Sequence, residues 1–361
     1  PKRFLGNIMT DAPTAPAGKL INSAASGVWS LAEALSYTKG GLWPNAANPV
    51  PRALFAGGRT SSFAANKDVI DYVTITTTGN GTDFGNLTSL TQQLGAFSSS
   101  SRAVFFGGSA IASGTGQGTV TNVIQYVTIS STGDAADFGD LTAGVAQSSA
   151  GVSSNTRGVR VGGRDPNVGV TNVMDYVTIA STGNATDFGD MDTASYVSYS
   201  CNSSTRGIVS GGGSNGVLDV IQYITIASAG NSTDFGNLGS ALYQGSNGIV
   251  SSATRGIVAL GGRDANNYVP TIEYVTIATT GNSIDFGDLT VSVRESASAS
   301  SNVRGLAAGG LDNTGSDKNA ALNVIQYITI TSLGNSTDFG DLTLARYRFT
   351  GASNSHGGLA A

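Results

Sequence analysis

The 361-residue chain has one cysteine, one histidine, two tryptophans and eight prolines, and only 12% of its positions are charged. A lone Cys201 forbids an internal disulfide and reads as a small buried thiol. A lone His356 leaves no material for a Ser-His-Asp triad or a histidine-rich metal site, so neither a metal nor another cofactor is expected. Lys and Arg total 19 against 24 Asp and Glu, a net charge of −5. Bases this few and scattered do not track phosphates, which argues against a nucleic-acid partner. No apolar run reaches the length of a membrane span, and the N-terminus lacks a basic-then-apolar leader, so neither membrane insertion nor Sec export is expected. Glycine is abundant instead, at 50 residues. It never recurs at every third position and is accompanied by many Val, Ile, Leu and Phe, which excludes collagen and disorder and leaves a packed, turn-rich β protein.

One phrase recurs six times: Tyr-(Val/Ile)-Thr-Ile, a Gly-(Asn/Asp) pair, then Asp-Phe-Gly-(Asp/Asn). The tyrosines are Tyr72, Tyr126, Tyr176, Tyr223, Tyr274 and Tyr327, and each is followed twelve residues later by Phe84, Phe138, Phe188, Phe235, Phe286 or Phe339. Upstream stands a second phrase, an Arg, a few small or apolar residues, then Gly-Gly; its arginines are Arg52, Arg102, Arg157, Arg206, Arg255 and Arg304. Arg102–Phe106 and Val123–Ile129 read as strands covered on both faces, the Gly-Asn pair as a tight reversal, and Asp-Phe-Gly as a returning strand. A fourth strand fits the Ser/Ala-rich stretch before the next Arg, such as 143–152. Four short antiparallel strands per unit, six times over, predict an all-β chain folded as a six-bladed β-propeller over 51–361. The first unit lacks its Ser/Ala strand and the C-terminal tail matches it, with His356 where an Arg would stand. That tail is therefore expected to complete the first blade, a seventh blade being the alternative. The order Arg, Gly-Gly, Tyr resembles the kelch repeat, from which this one departs by placing Phe twelve residues after the Tyr.

Residues 1–50 stand outside the repeat. A Pro/Ala-rich linker at 11–18 precedes a short helix, with Ser30 and Glu33 as a capping box, Leu31 and Leu35 on its apolar stripe and Gly40 as its stop. Trp29 and Trp43 bracket it. Such a segment cannot bury these side chains alone, so Trp29, Leu31, Leu35 and Trp43 are expected to anchor the chain to partners or sister copies. The phrase Gly-Val-Trp-Ser-Leu-x-Glu, then Tyr and Gly-Leu-Trp-Pro, resembles one found in tail and fibre proteins of tailed bacteriophages, notably of marine and cyanobacterial hosts. The resemblance implies a virion protein on the particle exterior. Its N-terminus would contact other virion proteins, in a trimer or another homo-oligomer, and its repeat domain would face outward.

The six arginines and the six aspartates Asp83, Asp137, Asp187, Asp234, Asp285 and Asp338 tempt a ligand-ring reading, but residues present in every unit are framework. Each Arg is expected to pair with an Asp or to cap carbonyl groups. The loops between Gly-Gly and the Tyr strand differ from unit to unit, and variable loops on a rigid scaffold carry recognition. Phe63 and Tyr268 are the candidate stacking platforms there, with Arg164, Asp165, Arg263 and Asp264 as polar contacts. The expected function is non-enzymatic attachment to a host-surface glycan or protein. The alternatives are a capsid or tail decoration protein without a host ligand, and a glycan-hydrolysing spike drawing on Glu33, Glu273, Glu295 or loop aspartates.

Overall fold

The computed structural model describes residues 50–60, 66–111, 119–145, 147, 150–165, 168–214, 216–264, 267–312 and 320–359. The expectations for Trp29, Leu31, Leu35, Trp43 and Phe63 fall outside them. Among the described residues the chain is all-β, built of antiparallel sheets, with one 3-10 turn at Gly357–Leu359 and no α-helix.

The second sheet is representative. Its order is Gly95–Ser98, Arg102–Phe106, Val123–Thr128, Ala136–Asp140. The third, fourth and sixth sheets repeat it with Arg157–Val161, Arg206–Ser210 and Arg304–Ala308 as their second strands. In the fifth, Arg255–Arg263, Tyr268–Thr276 and Ile284–Asp288 form three regular strands, and the expected fourth is reduced to isolated bridges such as Ser251 to Gly256. The third sheet's first strand is Ala150–Ser153, shorter than the stretch expected from 143. The first sheet is assembled from both ends of the repeat region, because Thr350–Ser353 pairs with Arg52–Ala56 from Ala53↔Ser353 to Ala56↔Thr350.

The invariant Tyr-to-Phe spacing has a packing cause. Every third-to-fourth strand pairing shifts register at the Phe, a β-bulge that turns the ring inward while leaving the preceding Asp exposed. The six Phe rings are buried, each edge-on to the Tyr of its own sheet at 5.8–6.0 Å. An insertion between Tyr and Phe would separate the rings, so length variation is confined to the loops.

Three sets of contacts join each sheet to the next, and all three return from the sixth sheet to the first. The framework arginines donate from Nη1 to the Ile carbonyl that ends the next sheet's Tyr strand, from Arg52 to Ile129 (3.0 Å) around to Arg304 to Ile75 (3.1 Å). Each guanidinium also lies 4.3–4.9 Å over the Tyr ring of its own sheet. The expected alternative, pairing with the Asp-Phe-Gly aspartates, does not occur among the described residues: the bulge points those carboxylates to solvent. The Gly-Asn turn of each sheet clips the Asp-Phe-Gly strand of the preceding one. Gly133 N donates to Phe84 O (2.8 Å) and Gly79 N to Phe339 O (2.8 Å). The Asn or Asp side chain then accepts from a backbone N–H, as Asn80 Oδ1 does from Asp341 N. A Cβ on Gly85 would lie 2.4 Å from Gly133 O, so the Gly of Asp-Phe-Gly is required by this approach.

The third set explains a buried polar column that the strand pattern alone had left as core. The residue before each Tyr is Asp71, Gln125, Asp175, Gln222, Glu273 or Gln326, all buried. Each accepts from the chain leaving the preceding sheet, for example Gln125 Oε1 from Thr88 N (2.8 Å) and Gln326 Oε1 from Thr290 Oγ1 (2.7 Å). Asp71 and Asp175 also pair with the buried Arg346 (3.1 Å) and Arg160.

Where the first strands of the sheets meet, side chains are small because space is. A Cβ on Gly351 would fall 2.2 Å from Ser298 O. A closed chain of hydrogen bonds runs Ser98 Oγ to Ser353 O (2.6 Å), Ser353 Oγ to Ser300 O, Ser300 Oγ to Ile249 O (3.2 Å) and Ser251 O (3.4 Å), Ser251 Oγ to Asn202 O (2.8 Å), Asn202 Nδ2 to Ser153 O, and Ser153 Oγ to Ser98 O (2.8 Å). His356 is buried against this chain, Nε2 lying 3.4 Å from Ser153 Oγ. It does not occupy the place of a framework Arg, as its sequence position had suggested. Asn354 instead takes the part of the serine before each Arg, accepting from Arg52 N at 2.8 Å. The chain then turns inward.

Candidate functional site

Against so regular a frame, departures from the repeat are informative. Five non-glycine residues have positive φ, between 54° and 60°: Gln93, Val197, Gln244, Glu295 and Arg348. All five stand nine residues after the Phe of an Asp-Phe-Gly phrase. A side chain in this region costs about 1 kcal/mol, more for β-branched Val197, and elsewhere this fold uses glycine where φ is positive. Such strain concentrates at functional positions. Four of the five are linked in succession, Gln93 N to Arg348 O (2.7 Å), Arg348 N to Glu295 O (2.8 Å) and Glu295 N to Gln244 O (2.6 Å).

Gln93, Val197, Glu295 and Arg348 line a depression together with Gly245, Asn247, Ser296 and Phe349. Its floor is closed by Asn247. The Asn247 Nδ2 donates to Leu94 O of the second sheet's approach (2.6 Å), and its carbonyl accepts from Ser298 N (2.8 Å) and Gly351 N (3.1 Å). The irregular fourth segment of the fifth sheet thus supplies the floor.

The rim is charged and aromatic. The buried Glu295 carboxylate lies 3.0 Å from Arg348 Nε and 3.4 Å from Arg294 Nη1. Arg294 Nη1 also reaches Gln244 Oε1 (3.1 Å), and its guanidinium lies over the Tyr268 ring (4.9 Å) with Nε hydrogen-bonded to the Tyr268 hydroxyl. Arg348 lies over Tyr347 (5.6 Å), Arg263 over Tyr243 (5.7 Å) and Arg164 over Tyr196 (5.7 Å).

Of the residues expected from sequence, Arg263 and Tyr268 face one another across one hairpin, and Asp264 caps its tip by accepting from Asn267 N. The Tyr268 ring is covered by the Arg294 guanidinium rather than bare. Arg164 and Asp165 form a separate two-stranded hairpin with Gly169–Val170, where Arg164 is exposed. Sequence reasoning passed over Tyr196, Tyr243, Arg294 and Tyr347, each eight residues after a framework Phe, and Glu295 and Arg348 directly beside them. The signal was available: two adjacent columns that vary in a frame otherwise repeated almost letter for letter.

Of the candidate catalytic carboxylates, Glu33 lies outside the described residues and Glu273 and Glu295 are engaged by neighbouring groups. Glu273 accepts from Gly239 N (2.9 Å) and Ser283 Oγ, and Glu295 lies between two guanidinium groups. Among the described residues no group of three His, Cys, Asp or Glu side chains is placed to hold a metal ion. Cys201 is buried, its thiol pKa pushed up by desolvation, and its Sγ fills the space a Cβ on Gly256 would need. No family model matches the chain, and no curated protein does.

Proposed function

We propose that the six sheets are the blades of a six-bladed β-propeller, and that the chain is a tail-fibre-type appendage of a virion which attaches to a host-surface glycan or protein without making or breaking bonds. The cyclic order of the inter-sheet contacts supports the propeller, since three independent contact sets and the innermost hydrogen-bond chain all close on the first sheet. The strained column at Gln93, Val197, Gln244, Glu295 and Arg348 carries the binding reading. It retains side chains where the frame elsewhere uses glycine, and it gathers arginines and tyrosines at one mouth. Tyr and Arg are favoured where binding energy is concentrated, because each offers a large rigid face with polar ends. The virion setting rests on the tryptophan-bracketed phrase of residues 27–44. Weak single-site contacts would be multiplied by copy number on a particle.

The test is saturable binding of the fluorescently labelled full chain to a panel of marine and cyanobacterial isolates. Binding to at least one isolate, weakened by changing Glu295 and Arg348 together to Gly, is expected. A folded chain that binds none of them refutes attachment and leaves decoration.

A further inference from the structure

The buried Glu295 carboxylate is met by Arg294 on one side and Arg348 on the other. In Arg348 only Nε is engaged, by Glu295; neither Nη atom has a hydrogen-bond partner among the described residues, and the side chain is 28% exposed. Its orientation is held from three sides: Glu295 grips Nε, Tyr347 lies beneath the guanidinium, and the Arg348 backbone is tied at both N and O to its neighbours in the strained column. A guanidinium oriented at its base and open at its fork is prepared for bidentate contact with a planar or tetrahedral acid group.

We propose that this mouth binds an anionic sugar, its acid group received by the Arg348 fork. This rests on the attachment reading above and names its ligand class. A neutral sugar has no group that requires a fixed, half-desolvated cation. Carboxylate and phosphate fit the same fork, so the shared chemistry is an acid group on a saccharide.

The experiment uses the full chain on whichever isolates bind it. Binding is titrated on untreated cells, on cells whose surface carboxyls have been reduced to alcohols, and on cells stripped of phosphodiesters by cold hydrofluoric acid. Arg348→Gln, Arg348→Lys and, as a control on a solvent-facing framework position, Asp187→Asn are measured alongside, with thermal unfolding to verify folding. A loss of tenfold or more with Arg348→Gln, little recovery with Arg348→Lys, wild-type behaviour of Asp187→Asn, and a comparable loss after one of the two treatments are expected; the treatment that acts identifies the acid. Wild-type binding by Arg348→Gln, or binding indifferent to both treatments, overturns the anionic ligand while attachment stands. Failure to bind any isolate removes attachment and this inference together.

Discussion

Acid should unfasten this chain through one residue. His356 is buried where the innermost strands meet, and desolvation lowers its pKa from 6.5 to about 3, only partly opposed by a hydrogen bond with the Ser98 backbone. Its Nδ1 accepts from Gly358 N (3.1 Å), so a proton placed there would face an N–H donor. The unfolded chain takes up a proton near pH 6.5 and the folded chain does not until about pH 3. Stability from this group is therefore complete above pH 6.5 and falls as pH is lowered towards 3. At about 1.4 kcal/mol per pH unit, lowering the pH from 7 to 4 costs roughly 3 kcal/mol. His356→Gln keeps an acceptor for Gly358 N but does not titrate. Urea unfolding of both chains at pH 7, 5.5 and 4 separates this contribution from the carboxylates, which the two share. The wild type should lose roughly 3 kcal/mol more than the variant between pH 7 and 4. Parallel losses in the two chains would falsify the assignment of His356 as a buried neutral group.

The other expectations follow from the inter-sheet contacts. Arg206→Met removes the donor to Ile277 O (2.8 Å) and the cation over Tyr223, and should lower unfolding free energy by roughly 2–3 kcal/mol; an unchanged urea midpoint would contradict the role given to these arginines. Gly85→Ala forces a Cβ to 2.4 Å from Gly133 O, whereas Gly79→Ala meets nothing within 4 Å, so the first should prevent soluble folding and the second only weaken it, as read by yield and circular dichroism. Truncation after Phe349 removes the strand Thr350–Ser353 from the first sheet and bares the edge of Arg52–Ala56. Size-exclusion chromatography should then show species larger than the intact chain gives, and a peptide of residues 350–361 added in trans should restore the intact chain's elution.

Much of the frame was legible because it is repeated. Six copies of Arg, Gly-Gly, Tyr and Asp-Phe-Gly define which stretches are strands, and the missing Ser/Ala segment of the first unit identifies its completion by the C-terminal tail. Spacing alone could not say what the arginines touch. Arg52 and its five counterparts reach carbonyls on the neighbouring sheet, a choice made by sheet-to-sheet geometry, while a bulge visible only in the paired backbone turns Asp83 and its counterparts to solvent. His356 was misplaced by one residue for the same kind of reason: its burial depends on where the first strands of separate sheets meet. The rim of Tyr243, Arg294, Glu295, Tyr347 and Arg348 was present as two varying columns, but residues as far apart as 93 and 348 share one mouth only because the chain's end pairs with its beginning. Local spacing determines strands and turns, since these depend on neighbours in sequence. Burial, partner choice and the composition of the mouth depend on segments hundreds of residues apart, and only the packed fold brings those together.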